Sequence, residues 1–273
     1  MSRGLRPPKG AVFRRTGGAG SVAGSLVAAR RGCGAHVAPR VTDVSVFHRA
    51  NPGAPAPVAA AWYGKLPSLG DFASRRVDPT FIEPWDAWLA DGLAAWRASD
   101  EHWLQGYLAG PSWRFLLTPE ALAPRSPALA GVLMPSVDNV GRYFPLTLVQ
   151  PLARLPADEG ATQALLTWMH RLDDLAVDAL HEDWPIAQLE AELEQLGLPP
   201  TDGEAAHLPS WAQPLVQAGR TSPRSSYWWC LDAEGQPRVY TGAGLPRQRA
   251  FTTLIAGQLD ELALTPSFHA LNT

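Results

Sequence analysis

The sequence predicts a mixed α/β or α+β body, best fitted by a sheet with helices on its faces. Three observations carry this expectation. Strand-like runs occur both before and after helical ones. Two long segments, 79–99 and 161–181, place apolar residues at helical spacing. A pair of β-rich runs, "SSYWWCL" (225–231) and "RVYTG" (238–242), flanks the turn-rich "DAEGQP" as a hairpin would.

Taken in order, "AAAWYGK" (59–65) supplies a short strand. Asp78 and Pro79 open a helix: the Asp carboxylate accepts the first free N–H groups, and Pro at the first position loses nothing by lacking its own. That helix places Ile82, Trp85, Leu89, Leu93 and Trp96 along one side. "EHWLQGYL" (101–108) reads as a shorter helix. "SWRFLLT" (112–118), "AGVLMPS" (130–136) and "RYFPLTLVQPL" (142–152) read as strands, with Pro145 pointing to an edge or bulge. Residues 161–181 form a helix with Leu165, Met169, Leu172, Ala176 and Ala179 on one face. A further helix spans 185–197, after Asp183 and up to Gly197. Residues 198–224 are proline-rich and loop-like, and a closing helix covers about 246–263.

Charge and tryptophan divide the 273 residues unevenly. Residues 1–60 hold nine Lys/Arg and a single acid, Asp43; the remainder holds 14 Lys/Arg against 25 Asp/Glu, a formal charge of −11, and all eleven tryptophans. Such an acidic body argues against nucleic acid or an anionic membrane as partner. No apolar run reaches the roughly 18 residues of a membrane span. Cys33 and Cys230, the only two cysteines, form neither a disulfide framework nor a zinc spacing. Residues 1–57 are expected to be a disordered basic extension. A transit-type peptide, a basic arm and translated upstream sequence from a mis-set start are the alternatives. The body is 58–265 and a tail covers 266–273. Within the extension, "GAGSVA" (18–23) fits the dinucleotide pattern G-x-G-x-x-G/A, but only "AVF" precedes it and no βαβ unit follows, so it is set aside.

In the body, "WYGKLPSLGDF" (62–72), "FIEPWDAWL", "WRF", "GVLMPSVDNVGRYFPLTL" (131–148), "YWW" and "GLP" occur in that order. This series resembles the TagF family, also called ImpM, of type VI secretion accessory proteins, over about residues 61–256. The resemblance implies a three-layer α/β/α sandwich with a mixed sheet. It implies a cytoplasmic post-translational repressor of secretion-apparatus assembly that engages the system's forkhead-associated scaffold protein. No cofactor, metal or catalytic activity is implied. Family members begin just before the W-Y-G-K motif, which favours the mis-set start, with Val58 as a candidate first residue.

The two long motifs supply the candidate site. Lys65, Asp71 and Arg75 are the polar contribution of the first; Ser136, Asp138, Asn139 and Arg142 that of the second. If the strands ending at Gly64 and Met134 are neighbours, Lys65, Asp71, Ser136, Asp138 and Arg142 converge into one polar patch for partner binding. The competing reading makes Asp71 and Asp138 caps of backbone N–H groups, paired with Lys65 and Arg142. Trp62, Gly64, Pro67, Gly70, Phe72, Gly141, Phe144 and Pro145 are assigned to structure, with an exposed subset of the aromatics able to anchor a partner.

The rival class is an enzyme, a hydrolase or phosphoryl-transfer catalyst built on the same patch. Ser68 or Ser136 would be the nucleophile, yet neither lies in G-x-S-x-G and no phosphate loop precedes Lys65. His170 and His181 fall on one helix face about 16 Å apart at 1.5 Å per residue, too far to share a metal.

Overall fold

A computed structural model describes residues 59–258, except 205, 206, 222, 223 and 233. The expected extension 1–57, its glycine-rich stretch and the tail 266–273 lie outside the described residues. The elements are β1 (Ala61–Gly64), β2 (Ala73–Arg75), α1 (Pro79–Ser99), α2 (Trp103–Leu108), β3 (Trp113–Leu117), β4 (Ala128–Met134), β5 (Leu146–Leu152), α3 (Glu159–His181), α4 (Ile186–Leu196), a 3-10 turn (Ser210–Ala212) leading into α5 (Gln213–Thr221), β6 (Ser225–Leu231), β7 (Pro237–Ala243) and α6 (Arg249–Ile255).

The strands form one sheet in the order β2-β1-β5-β4-β3-β6-β7. Successive side chains of a strand point to opposite faces. Trp62, Leu116, Val132, Leu148 and Trp229 therefore pack on one side with α3, α4 and α5. Tyr63, Phe115, Leu133, Val149 and Trp228 pack on the other with α1, α2 and α6. This is the α/β/α sandwich. Its sheet is antiparallel at every pairing rather than mixed. β1–β2, β3–β4, β4–β5 and β6–β7 are joined by loops alone, and a parallel neighbour would need a longer crossover.

The two long helices follow their spacing. Asp78 Oδ1 accepts from Thr80 N at 2.8 Å, and α1 buries Phe81, Trp85, Trp88, Leu89, Leu93 and Trp96. Ile82, expected on that side, is half-buried. Asp158 caps α3 through Ala161 N at 2.8 Å, and all five spaced residues from Leu165 to Ala179 are buried. Pro145 marks neither an edge nor a bulge: β5 starts one residue later and runs between β1 and β4. A proline just ahead of a strand removes no ladder hydrogen bond from it. Three short elements, β2, the 3-10 turn and α5, lie where loops were expected, and the described part of the closing helix ends at Ile255.

Candidate functional site

Thr147 of β5 pairs with Tyr63 of β1 on one side and Leu133 of β4 on the other. Both pairings are antiparallel, so β1 and β4 run in the same direction with β5 between them. They are not neighbours, the condition under which the sequence reading brought the loops together, but they leave the sheet at the same end. The loops 65–72 and 135–145 meet there.

Glycine makes this meeting possible at one point above all. Gly64 has φ +135°, and a Cβ built on it would lie 2.1 Å from Pro145 O. The first loop thus turns directly against the residue that introduces β5. Pro67 lies in the following turn, which closes through Leu69 N to Leu66 O at 2.9 Å. The loops are then stitched together: Asn139 N donates to Leu69 O at 2.9 Å, and Gly70 packs against the Asn139 side chain. Gly141, at φ +81°, turns the second loop back.

Asp138 is the hub. Its Oδ1 accepts from Arg142 N at 2.8 Å and Val140 N at 3.2 Å; its Oδ2 accepts from Arg142 Nε at 2.7 Å and from Lys65 Nζ. Burial alone would push this carboxyl up. The hydrogen bonds from Lys65 and from the backbone and side chain of Arg142 outweigh it and hold the pKa down to about 2. Ser136 is a second fastener. Its Oγ donates to Lys65 O at 2.7 Å, while its main-chain N and O both meet the Tyr107 hydroxyl at 2.9 Å. Burial in turn raises the Tyr107 phenol.

The capping and pairing expected of Asp138 with Lys65 and Arg142 is what the geometry shows, and the polar residues divide by exposure. Lys65, Ser136 and Asp138 are buried and hold the loops. Asp71 and Arg142 reach solvent. Asp71 Oδ1 accepts from Phe72 N at 2.8 Å and lies 3.5 Å from Arg142 Nη2. The Arg142 side chain is 52% exposed, fixed by Asp138 through Nε and by Gly70 O through Nη2. Two apolar side chains of the same loops are also exposed: Phe72, at 40%, and Val140, at 64%. Phe72 packs on Tyr63 and Phe144, with Lys65 Nζ 4.5 Å from its ring centre. Trp62 points to the opposite sheet face, fully buried, and donates from Nε1 to Glu190 Oε1 at 2.6 Å.

The hydroxyls considered as nucleophiles are occupied otherwise. Ser68 Oγ donates to Trp184 O at 2.7 Å and Ser136 Oγ to Lys65 O, so neither hydroxyl donates to a base. Among the described residues no cluster of three His, Cys, Asp or Glu is placed to hold a metal. One shallow groove lies at the other end of β5, lined by Pro151, Leu155, Leu165, Leu198 and Pro199.

Sequence reasoning missed one buried charge pair. Arg114 of β3 meets Asp173 of α3 at 2.6 Å, with Ser112 donating to the same carboxylate and His170 Nδ1 3.0 Å from the guanidinium. Burial raises the Asp173 pKa despite Arg114. The signal in the sequence was the arginine inside "WRFLL", an otherwise apolar central strand.

The family model described as TagF N-terminal domain, type VI secretion system-associated, matches residues 61–196, which contain both loops. Among solved structures, PA0076 from Pseudomonas aeruginosa PAO1 is 31% identical, with a TM-score of 0.60, and the match covers 73% of this chain and 94% of that one. No curated protein matches the sequence.

Proposed function

This chain belongs to the TagF family of type VI secretion system-associated proteins, and from that premise we propose that it is a cytoplasmic, non-catalytic regulator that restrains assembly of the secretion apparatus by binding one of its components. The partner is the forkhead-associated scaffold protein, and the contact is made by the end of the sheet where the two motif loops meet.

One observation carries the reading: Arg142 stands half-exposed but already fixed, beside Asp71 and on the same loops as the exposed Phe72 and Val140. A guanidinium held before binding loses little freedom on binding, and it can pair two-pronged with a carboxylate. The exposed apolar side chains supply area to remove from water. Arginine and aromatic anchors of this kind dominate interface energetics. The pairing of both candidate serines with main-chain carbonyls supports a binding role over a catalytic one.

The test pairs a binding titration against the purified scaffold with a thermal unfolding midpoint. Val140→Asp, on an exposed turn, leaves the midpoint in place and weakens binding by about 2 kcal/mol or more. Arg142→Ala weakens binding beyond any loss of stability. A parent protein that neither binds the scaffold nor lowers secretion when overproduced removes this reading.

A further inference from the structure

The two edges of the sheet are finished differently. β2 has three residues and ends at Arg75. Arg76 follows at φ 58° and folds its guanidinium back onto Ala60 O and Glu190. A short, charged strand that turns away offers little for another strand to join. β7 is longer, and its one charge, Arg238, lies near its start. It pairs with β6 over seven consecutive residues, Pro237 to Ala243, with no bulge. Its proline is the first residue, and the run Val239–Ala243, V-Y-T-G-A, carries no charge. Among the described residues no strand pairs with its outer side.

One face of β7 is also bare. Tyr240 packs against the α1–α6 layer, and Arg238 Nη1 reaches Gly257 O at 3.2 Å on that side. On the face shared with Trp229 the helices stop short: Leu231, Val239, Thr241 and Ala243 are all exposed.

We infer that β7 pairs antiparallel with β7 of a second copy of this chain, about a two-fold axis through Thr241, so that the two sheets become one. V-Y-T-G-A complements itself in this register. Val239 falls opposite Ala243 of the second copy, Thr241 opposite Thr241, and Tyr240 opposite Gly242, over which the chain's own Tyr240 ring already lies, so the two rings come together. Arg238 falls opposite Gly244, so no like charges face each other. Thr–Thr and aromatic cross-strand pairs stabilise antiparallel ladders. Because paired residues share a face, the register makes the bare strip of each β7, Val239, Thr241 and Ala243, continuous with that of the other. A two-fold contact needs a surface that matches itself, and this edge does.

Light scattering of the full chain over a concentration series gives the first readout: the mass approaches twice that of the chain as concentration rises. Val239→Lys keeps the thermal midpoint of a folded monomer and shifts the half-dimer concentration up at least tenfold. In a Cys33→Ser background, Thr241→Cys gives a disulfide-linked dimer on mild oxidation, since opposed residues across a ladder lie within disulfide reach. Val239→Cys, opposite Ala243, does not. A parent that stays monomeric at every concentration overturns the inference. So does a dimer unaffected by Val239→Lys, or one in which Thr241→Cys fails to cross-link.

Discussion

Lys65 and Asp138, 73 positions apart, form an ion pair with side chains only 3% and 0% exposed. Removing one member of such a buried pair leaves the other charged and out of water. Lys65→Met is therefore expected to cost about 3–5 kcal/mol, toward the lower end because Arg142 still reaches the carboxylate. Urea unfolding at neutral pH measures it. A loss below about 1 kcal/mol, the ceiling for most exposed pairs, would contradict the burial described here.

The same pair sets an acid response. The folded pKa of Asp138 is depressed to about 2, so its stabilising contribution is complete above the ordinary carboxylate range and is lost as pH falls from about 4 towards 2. Asp173 works with the opposite sign: its pKa is raised, so its contribution weakens as pH climbs through and above the ordinary range. Asp138→Asn is expected to flatten the stability profile between pH 4 and 2 and to be less stable than the parent at pH 7. An unchanged acid limb would assign the acid sensitivity to other carboxylates.

Gly64→Ala tests the closure of the loops. A methyl group there would sit 2.1 Å from a main-chain oxygen, at a φ that side chains avoid. Backbone has to move, and a loss of about 3 kcal/mol or more is expected. Gly141→Ala also meets a positive φ, but with open space around it, and is expected to cost only about 1 kcal/mol. Equal midpoints for the two variants would show that crowding at Pro145 is not the deciding factor.

In the second core, Trp85 is fully buried among Phe81, Trp88, Phe115 and Trp228, and its Nε1 donates to Thr147 Oγ1 at 2.9 Å. Trp85→Ala is expected to lower stability by about 3–5 kcal/mol. Ala87→Ser, on the exposed side of the same helix, serves as the control and is expected to stay within about 0.5 kcal/mol of the parent.

The helices were legible because their signals are local. α1 and α3 each have an Asp cap and an apolar stripe, and those decide a helix without reference to the rest of the chain. β2, with only Ala73, Ser74 and Arg75, has no pattern to read; pairing with β1 makes it a strand. α5 was hidden by Pro214 and Gly219, both unfavourable inside a helix but tolerable in a short one. At the site, the charged residues could be named and their convergence anticipated. That Lys65 would be buried could not, since lysine is rarely withdrawn from water unless something distant closes over it. Asp138 and Phe72 do so here. The position of β5 between β1 and β4 was equally out of reach, because Pro145 reads the same before an inner strand as before an outer one.

β1 lies against β5, and everything between them in the chain must already be in place for that to happen. On a ribosome, a growing chain can emerge with Lys65, α1 and the β3–β4 pair and still lack the meeting of the two loops. The two loops close only after residues up to β5 have left the exit tunnel and the strand has been inserted, a step whose long loop is costly to close. A chain cut short before β5 therefore carries the first motif and most of the second and yet lacks the loop contact they build, which arrives with β5 and before the last two strands of the sheet are made.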